Sequence, residues 1–287
     1  MKPSQFVYYA PSTLEEAVSM LATVAREDGR VIAGGQSLVP AMALRLAQPA
    51  HLVDINGVAG LDRLAVEADE LCIGACVRHA AFERHVVDGP LGRLLTCVVR
   101  NIAHHPIRTR GTFCGSIANA DPASEWCLLA ATLGAKIVAR SIRGTRTIDE
   151  PGFFKGIMET ALAPDELLTE TRLPLLAAGV RCGFNEFSRR GGDFAIAMSL
   201  ATYRIEGGLI VEPRVGVGAV ESQPRRIPEA EAALHGRPPG TESFLAAARA
   251  AAEVVVPIEE NRELVAYKRD VVRAVVKRAL EAAEKSA

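Results

Sequence analysis

Arg30-Val31-Ile32-Ala33-Gly34-Gly35-Gln36-Ser37-Leu38 reads as a short strand that breaks at a glycine pair and re-enters as helix. Glycine carries no Cβ, so a turn of this composition lets backbone N–H groups come close to a bound anion. A second glycine-centred turn, Gly111-Thr112-Phe113-Cys114-Gly115-Ser116, follows a basic stretch and precedes another helical pattern. Two such turns in one chain point to a ligand with two phosphates or a long anionic spine, which means a nucleotide cofactor.

The neighbouring segments make the first turn part of a β-α-β pattern. Upstream, Ser12 with Glu15, or Thr13 with Glu16, can form a capping box, and Leu14, Val18, Leu21 and Val24 recur at helical spacing up to Asp28-Gly29. Downstream, Pro40 fits a first helical turn, and His51 to Ile55 forms the next strand. A hairpin is expected around Ala68-Asp69-Glu70, helices over 78–87 and 90–103, and a further helix capped by Asp121 with Pro122 in its first position. Strands over 136–139 and 144–148 pair, and one more ends at Pro174. Leu175 to Gly179 is the expected linker. Strands over 183–188, 194–205 and 209–220 then precede helices over 228–234, 242–254 and from 259 to the end. Three strands followed by three helices suggest an α+β unit with helices on one sheet face.

Composition narrows the function. The 287 residues are enough for two or three compact units. At 49% hydrophobic, 23% charged and a net charge of −1, the chain is an ordinary globular protein without the basic excess of a nucleic-acid binder. No apolar run approaches the roughly 18 residues of a membrane span, and the N-terminus lacks the apolar core of a signal peptide, so the expected location is the cytoplasm. The six cysteines form no Cys-x-x-Cys pair and no disulfide framework, which leaves no place for an iron–sulfur cluster in this chain.

With both turns placed, the chain resembles the FAD-binding medium subunit of the molybdenum hydroxylases, a family that includes aerobic carbon monoxide dehydrogenase and xanthine dehydrogenase. The resemblance runs essentially end to end. It rests on Ala33 to Ser37, on Thr112 to Ser116 against the family's Thr-x-Gly-Gly-Asn, and on Leu52-Val53-Asp54-Ile55-Asn56, Ile73-Gly74-Ala75, Ala120 to Glu125, Phe153 to Gly156, Arg189 to Ala195 and Val215 to Ala219. One glycine pair would be weak evidence; the ordered set is specific. The resemblance implies an α+β chain: a two-lobed FAD-binding domain of the PCMH type over 1–174, with lobes of about 1–56 and 57–174. A smaller α+β domain over 180–287, a three-stranded sheet with helices, follows. It also implies partners: a large subunit with the molybdenum cofactor and a small subunit with [2Fe-2S] clusters, in an (LMS)2 assembly. Electrons would pass from molybdenum through the clusters to FAD and out to an acceptor.

Carried over residue by residue, the resemblance assigns Val31, Ile32, Ala33, Gly34, Gly35, Gln36, Ser37 and Leu38 to the cofactor, with Gly34, Gly35, Gln36 and Ser37 wrapping its pyrophosphate. Thr112, Cys114, Gly115 and Ser116 line the opposite side, near the ribityl chain and phosphates, and Asn119 meets the cofactor backbone. Glu125 matches an acidic position that hydrogen-bonds a cofactor hydroxyl; it would also complement the N-terminus of its own helix. Leu167 or Leu168 packs on the adenine, burial in the core being the plainer account. Asp193 and Phe194 lie beside the isoalloxazine, where Phe194 either shields the ring or is an ordinary core residue. This chain departs from the family at Cys114, where glycine is usual, and at Ser116, where asparagine is usual. A cysteine at a left-handed position would be strained by about 1 kcal/mol or more, so either the backbone there is ordinary or the turn is adjusted. Some family members carry a lysine near 185–186, where this chain has Asn185-Glu186.

Other motifs carry less. Cys72-x3-Cys76-x2-His79 invites a metal reading but lacks the closer-set pairs of zinc sites. Gly216-x-Gly218 lies in a strand-rich stretch rather than at a strand-to-helix turn, and is no NAD fingerprint. The alternatives are a stand-alone flavin oxidase or reductase of similar fold and a cofactor-free scaffold subunit. Neither the substrate of the complex nor its electron acceptor can be read from this chain.

Overall fold

The computed structural model describes residues 2–286. The N-terminal lobe comprises β1 (Val7–Tyr9), α1 (Leu14–Val24), β2 (Gly29–Ile32), α2 (Leu38–Ala43) and β3 (His51–Asp54). Its three strands run parallel in the order β1-β3-β2. Thr13 and Glu16 close the capping box of α1, whose Ala17, Val18, Leu21 and Val24 are buried at helical spacing. Asp28, in the left-handed region at φ 53°, turns the chain back into β2.

The second lobe contains β4 (Leu64–Glu67), β5 (Glu70–Gly74), α3 (Pro90–Val99), α4 (His105–Arg108), α5 (Phe113–Asn119), α6 (Glu125–Leu133), β6 (Lys136–Ser141), β7 (Gly144–Asp149), β8 (Phe154–Gly156), β9 (Glu159–Thr160) and β10 (Leu167–Pro174). Five of these strands form an antiparallel sheet in the order β4-β5-β10-β6-β7, and β8 and β9 form a separate hairpin. The C-terminal unit holds β11 (Arg181–Phe187), β12 (Ala197–Glu206), β13 (Leu209–Gly218), β14 (Arg225–Arg226), α7 (Pro228–Leu234), α8 (Thr241–Val254) and α9 (Arg262–Glu284). Asn261 caps α9 by accepting from the N–H groups of Glu263 and Leu264.

The α+β reading holds, with five differences in detail. The C-terminal sheet has four strands, because the two-residue β14 adds to the β13 edge; two residues carry too little pattern to read. The helix expected over 78–87 is one short 3-10 stretch, His79–Glu83, and α3 stops at Val99. The helix expected from Pro122 begins at Glu125, because Asp121 Oδ1 accepts the Ala123 N–H at 2.9 Å and closes a turn ahead of it. The strand expected from Phe194 begins at Ala197.

Two apolar cores organise the molecule. One fills the second lobe and continues onto Cys182, Phe184, Met198 and Leu200 of the C-terminal sheet; the other lies between that sheet and α7, α8 and α9. Contact across the boundary is close. A Cβ on Gly216 of β13 would lie 1.9 Å from Thr132 Oγ1 of α6, so only glycine lets helix and sheet meet there. That packing accounts for Gly216 of the Gly216-x-Gly218 motif, while Gly218 lies against Met198 and Pro122.

Candidate cofactor site

The chain between β2 and α2 forms the first turn. Gly35 is left-handed at φ 70°, and Gln36 Nε2 donates to Gly34 O at 2.8 Å, which braces the loop from within. Among the described residues, no acceptor of the chain meets the N–H groups of Gly34, Gly35, Gln36, Ser37 or Leu38; the next N–H, that of Val39, bonds Gly35 O at 2.9 Å. Five successive N–H groups without a partner in the chain, in a half-exposed turn, are open to an outside acceptor, and an anion is a group that can meet several of them at once.

The second turn is built differently. Thr112 is the N-cap of α5: its Oγ1 accepts the Gly115 N–H at 3.0 Å, and its carbonyl accepts the Ser116 N–H at 3.1 Å. Phe113 N–H bonds Val77 O at 3.0 Å. Most of its donors are therefore used, and this segment is a capped helix start rather than a second open cradle. Cys114 sits in the first helical turn with an ordinary backbone, so no strain arises there. Its side chain points away from the turn: Sγ lies 3.2 Å from Ile73 O and 3.3 Å from Thr171 Oγ1, and burial pushes the thiol up to about 12. The side chain expected to line the cofactor belongs to the core. Ser116 and Asn119 lie half-buried on α5, and Ser116 O accepts from Cys127 Sγ at 3.3 Å.

The fold presses the two turns together. A Cβ on Gly34 would lie 2.4 Å from Arg110 O and 2.6 Å from Gly111 Cα, so backbone touches backbone. A polar strut spans the same junction. Asn56 Nδ2 donates to Ala33 O at 2.7 Å, Arg78 Nη2 donates to Asn56 Oδ1 at 2.6 Å, and Arg78 Nη1 donates to Arg110 O. Ala33 precedes the first glycine pair and Arg110 precedes the second turn, so one asparagine and one arginine fix the spacing of the two. Sequence reading missed Arg78. Its only signal was a lone cation between a strand and a turn.

Beneath the second turn, Trp126 Nε1 donates to His79 Nδ1 at 2.9 Å, and the His79 N–H bonds Gly111 O at 3.0 Å. Burial holds the His79 imidazole neutral, with its pKa lowered to about 4. Phe82, Phe113 and Trp126 pack with ring centroids 4.8 to 5.5 Å apart, which gives the turn a rigid floor. Cys72, Cys76 and His79 face separate partners, Glu67, Ile55 O and Trp126, and do not converge.

The remaining expected residues divide. Val31, Ile32 and Ala33 are half-buried as they lead into the turn. Glu125 is 8% exposed at the start of α6, one helix away from Ser116. Burial and the neighbouring Glu186 carboxyl push its pKa up. Leu168 is 4% exposed within the core, so the core account holds for it. Phe194 is 71% exposed on the loop after β11, which removes the core reading for that ring. Asp193 pairs with Arg190 at 3.3 Å, and Gly192 of the same loop packs on the His104 imidazole, just ahead of the second turn.

Residues 4–176 match the family model described as the FAD binding domain in molybdopterin dehydrogenase, and 183–283 match the CO dehydrogenase flavoprotein C-terminal domain. This chain belongs to the FAD-binding medium subunits of the molybdenum hydroxylases. It is 35% identical to the nicotine 6-hydroxylase medium subunit of Paenarthrobacter nicotinovorans, over 98% of each chain. It is 33% identical to the carbon monoxide dehydrogenase medium chain of Hydrogenophaga pseudoflava, over 99% of this chain and 98% of that one. The solved carbon monoxide dehydrogenase of that organism superposes with a TM-score of 0.94 at 36% identity, covering 100% of this chain and 99% of the other. The chain is thus a flavoprotein oxidoreductase subunit whose cofactor is FAD, in a family that holds molybdenum and iron–sulfur centres in partner subunits. The open N–H groups of Gly34 to Leu38 fit an anionic group such as the FAD pyrophosphate. Among the described residues no helix is long and apolar enough to cross a membrane.

Proposed function

We propose that this subunit is the flavin station of a cytoplasmic molybdenum hydroxylase. It takes electrons one at a time from the [2Fe-2S] clusters of a small partner subunit and passes them from FAD to an external acceptor. Hydroxylation of substrate belongs to a large molybdenum-cofactor subunit, and two L–M–S trimers associate. FAD supplies the redox chemistry, joining one-electron to two-electron transfer, while this chain's residues bind and orient it. Gly34, Gly35, Gln36, Ser37 and Leu38 hold the pyrophosphate through main-chain donors. Thr112, Gly115, Ser116 and Asn119 border the cofactor on the other side, and Asp193 and Phe194 flank the ring from the loop above His104. The observation that carries this reading is the run of five acceptor-less N–H groups, held against the second turn by Gly34 and the Asn56–Arg78 strut.

The test is native purification from the source cell with antibody against this chain. The expected preparation is yellow, with bound FAD, iron and molybdenum, and contains one larger and one smaller polypeptide. Isolation as a lone chain without iron or molybdenum refutes the partner assignment. Failure of well-folded protein to bind FAD in excess refutes the cofactor assignment.

A further inference from the structure

Side chains alternate along β11. Cys182 and Phe184 face the FAD-binding half and join its core, while Gly183 faces the other way and packs against Ala279 of α9. Glu186 continues the Cys182–Phe184 side and so meets the FAD-binding half at the N-terminus of α6. There it lies within hydrogen-bonding reach of Glu125. Glu186 Oε2 is buried without a partner. Glu125, itself more than nine-tenths buried, receives no donor from another residue. The surrounding charges give no relief. Asp121, in the turn before α6, adds repulsion to Glu125, and no lysine or arginine among the described residues pairs with either carboxyl. Arg190 of the following loop is turned to Asp193.

We propose that Glu125 and Glu186 share a single proton across the boundary between the two halves of the chain, and surrender it to solvent when the cofactor's hydroxyl chain binds. The inference rests on the flavin reading above. Two carboxyls within hydrogen-bonding reach, Glu125 buried and Glu186 half-buried with its Oε2 covered, do not readily both ionise, so one keeps its proton and donates it to the other. Burial acts in the same direction on both groups, raising each above the ordinary carboxylate range. The hydroxyl groups of a bound polyol chain are donors. Donors stabilise the ionised carboxylate, so binding lowers the affinity of the pair for its proton. No bond of the cofactor is made or broken: one proton leaves the pair for bulk water, and the pair's charge goes from −1 to −2.

The sign follows from linkage. A complex that holds one proton fewer than its free components tightens as pH rises through the pair's titration range, and stops responding above it. The experiment titrates FAD into the full cofactor-free chain, following flavin fluorescence at steps between about pH 6 and 9, and measures proton release in weakly buffered solution with an indicator dye. The expected wild-type result is a Kd that falls by up to about tenfold per pH unit on the acid side, with release of close to one proton. In the double variant Glu125→Gln/Glu186→Gln the pH dependence and the released proton are both lost, whatever FAD affinity remains, and each single variant releases less than the wild type. Infrared spectra of the cofactor-free chain show a protonated-carboxyl band at neutral pH that shifts in Glu186→Gln and disappears in the double variant Glu125→Gln/Glu186→Gln. FAD binding with a flat Kd and no proton release overturns the inference and leaves the flavin reading standing. Absence of the carboxyl band overturns it independently of any ligand. Failure to bind FAD at every pH overturns the flavin reading, and this inference with it.

Discussion

Gly34→Ala tests the junction on which the site depends. The added methyl would sit 2.4 Å from Arg110 O and 2.6 Å from Gly111 Cα, both main-chain atoms with no rotamer to escape into. The two turns must therefore separate by several tenths of an ångström or more, against the Asn56–Arg78 strut. Overpacking of this kind costs about 1 to 3 kcal/mol. If the separation is borne by the cofactor-bound geometry, that cost corresponds to a loss of about 5- to 150-fold in FAD affinity. The assay is fluorescence titration with FAD, run beside thermal melting of the cofactor-free chain, so that a binding loss is distinguished from unfolding. Gly57→Ala is the control, since its nearest neighbour would be Pro11 O at 3.6 Å, an ordinary contact. A Gly34→Ala protein that binds FAD within about twofold of wild type and melts at the wild-type temperature would refute the claim that close apposition of the turns makes the site.

Three further outcomes are expected. Arg78→Met removes both strut bonds from the guanidinium and should weaken FAD binding by about tenfold, or about 1.4 kcal/mol, read by the same titration; Asn56→Ala should match it, and the double variant should add little beyond either single change. Cys114→Ala should lower the melting temperature, through the lost core thiol, while leaving FAD affinity within about twofold, because that side chain faces Ile73 and Thr171. His79, with its pKa lowered to about 4 by burial, binds fewer protons folded than unfolded, so its neutral-state stability is fully present above about pH 6.5 and is lost as pH falls towards about 4. Denaturant melts at several pH values should show this acid limb in wild type and a flatter one in His79→Gln.

The parts of the fold written in local pattern could be read in advance. The first turn announced itself because a strand, a glycine pair and a helix fall in sequence, and α1 because Thr13 and Glu16 stand three apart at its start. The errors arose where local pattern was insufficient. Residues 78–87 have helical apolar spacing, yet only a 3-10 stretch forms, with the chain held by the His79–Gly111 bond to a distant turn. Asp121 and Pro122 make a proper helix start in sequence, but the aspartate spends its oxygen on Ala123. The second glycine turn looked like a copy of the first, because its Thr112 cap is a side-chain event that the glycines do not encode. The strut and the carboxyl pair were beyond reach for another reason. Asn56 and Arg78, like Glu125 and Glu186, belong to different lobes or domains, and only the tertiary arrangement brings them together.

The meeting of Gly216 and Thr132 bears on how such subunits can be recombined in the laboratory. A chimaera that splices the carboxy-terminal half of one relative onto the amino-terminal half of another cuts through the sequence between these two positions. A recipient with any bulkier residue at either place would hold its halves apart, and with them the Glu125 and Glu186 side chains. Parents for gene fusion are best matched at that one helix–sheet touching point, ahead of any matching of the intervening linker.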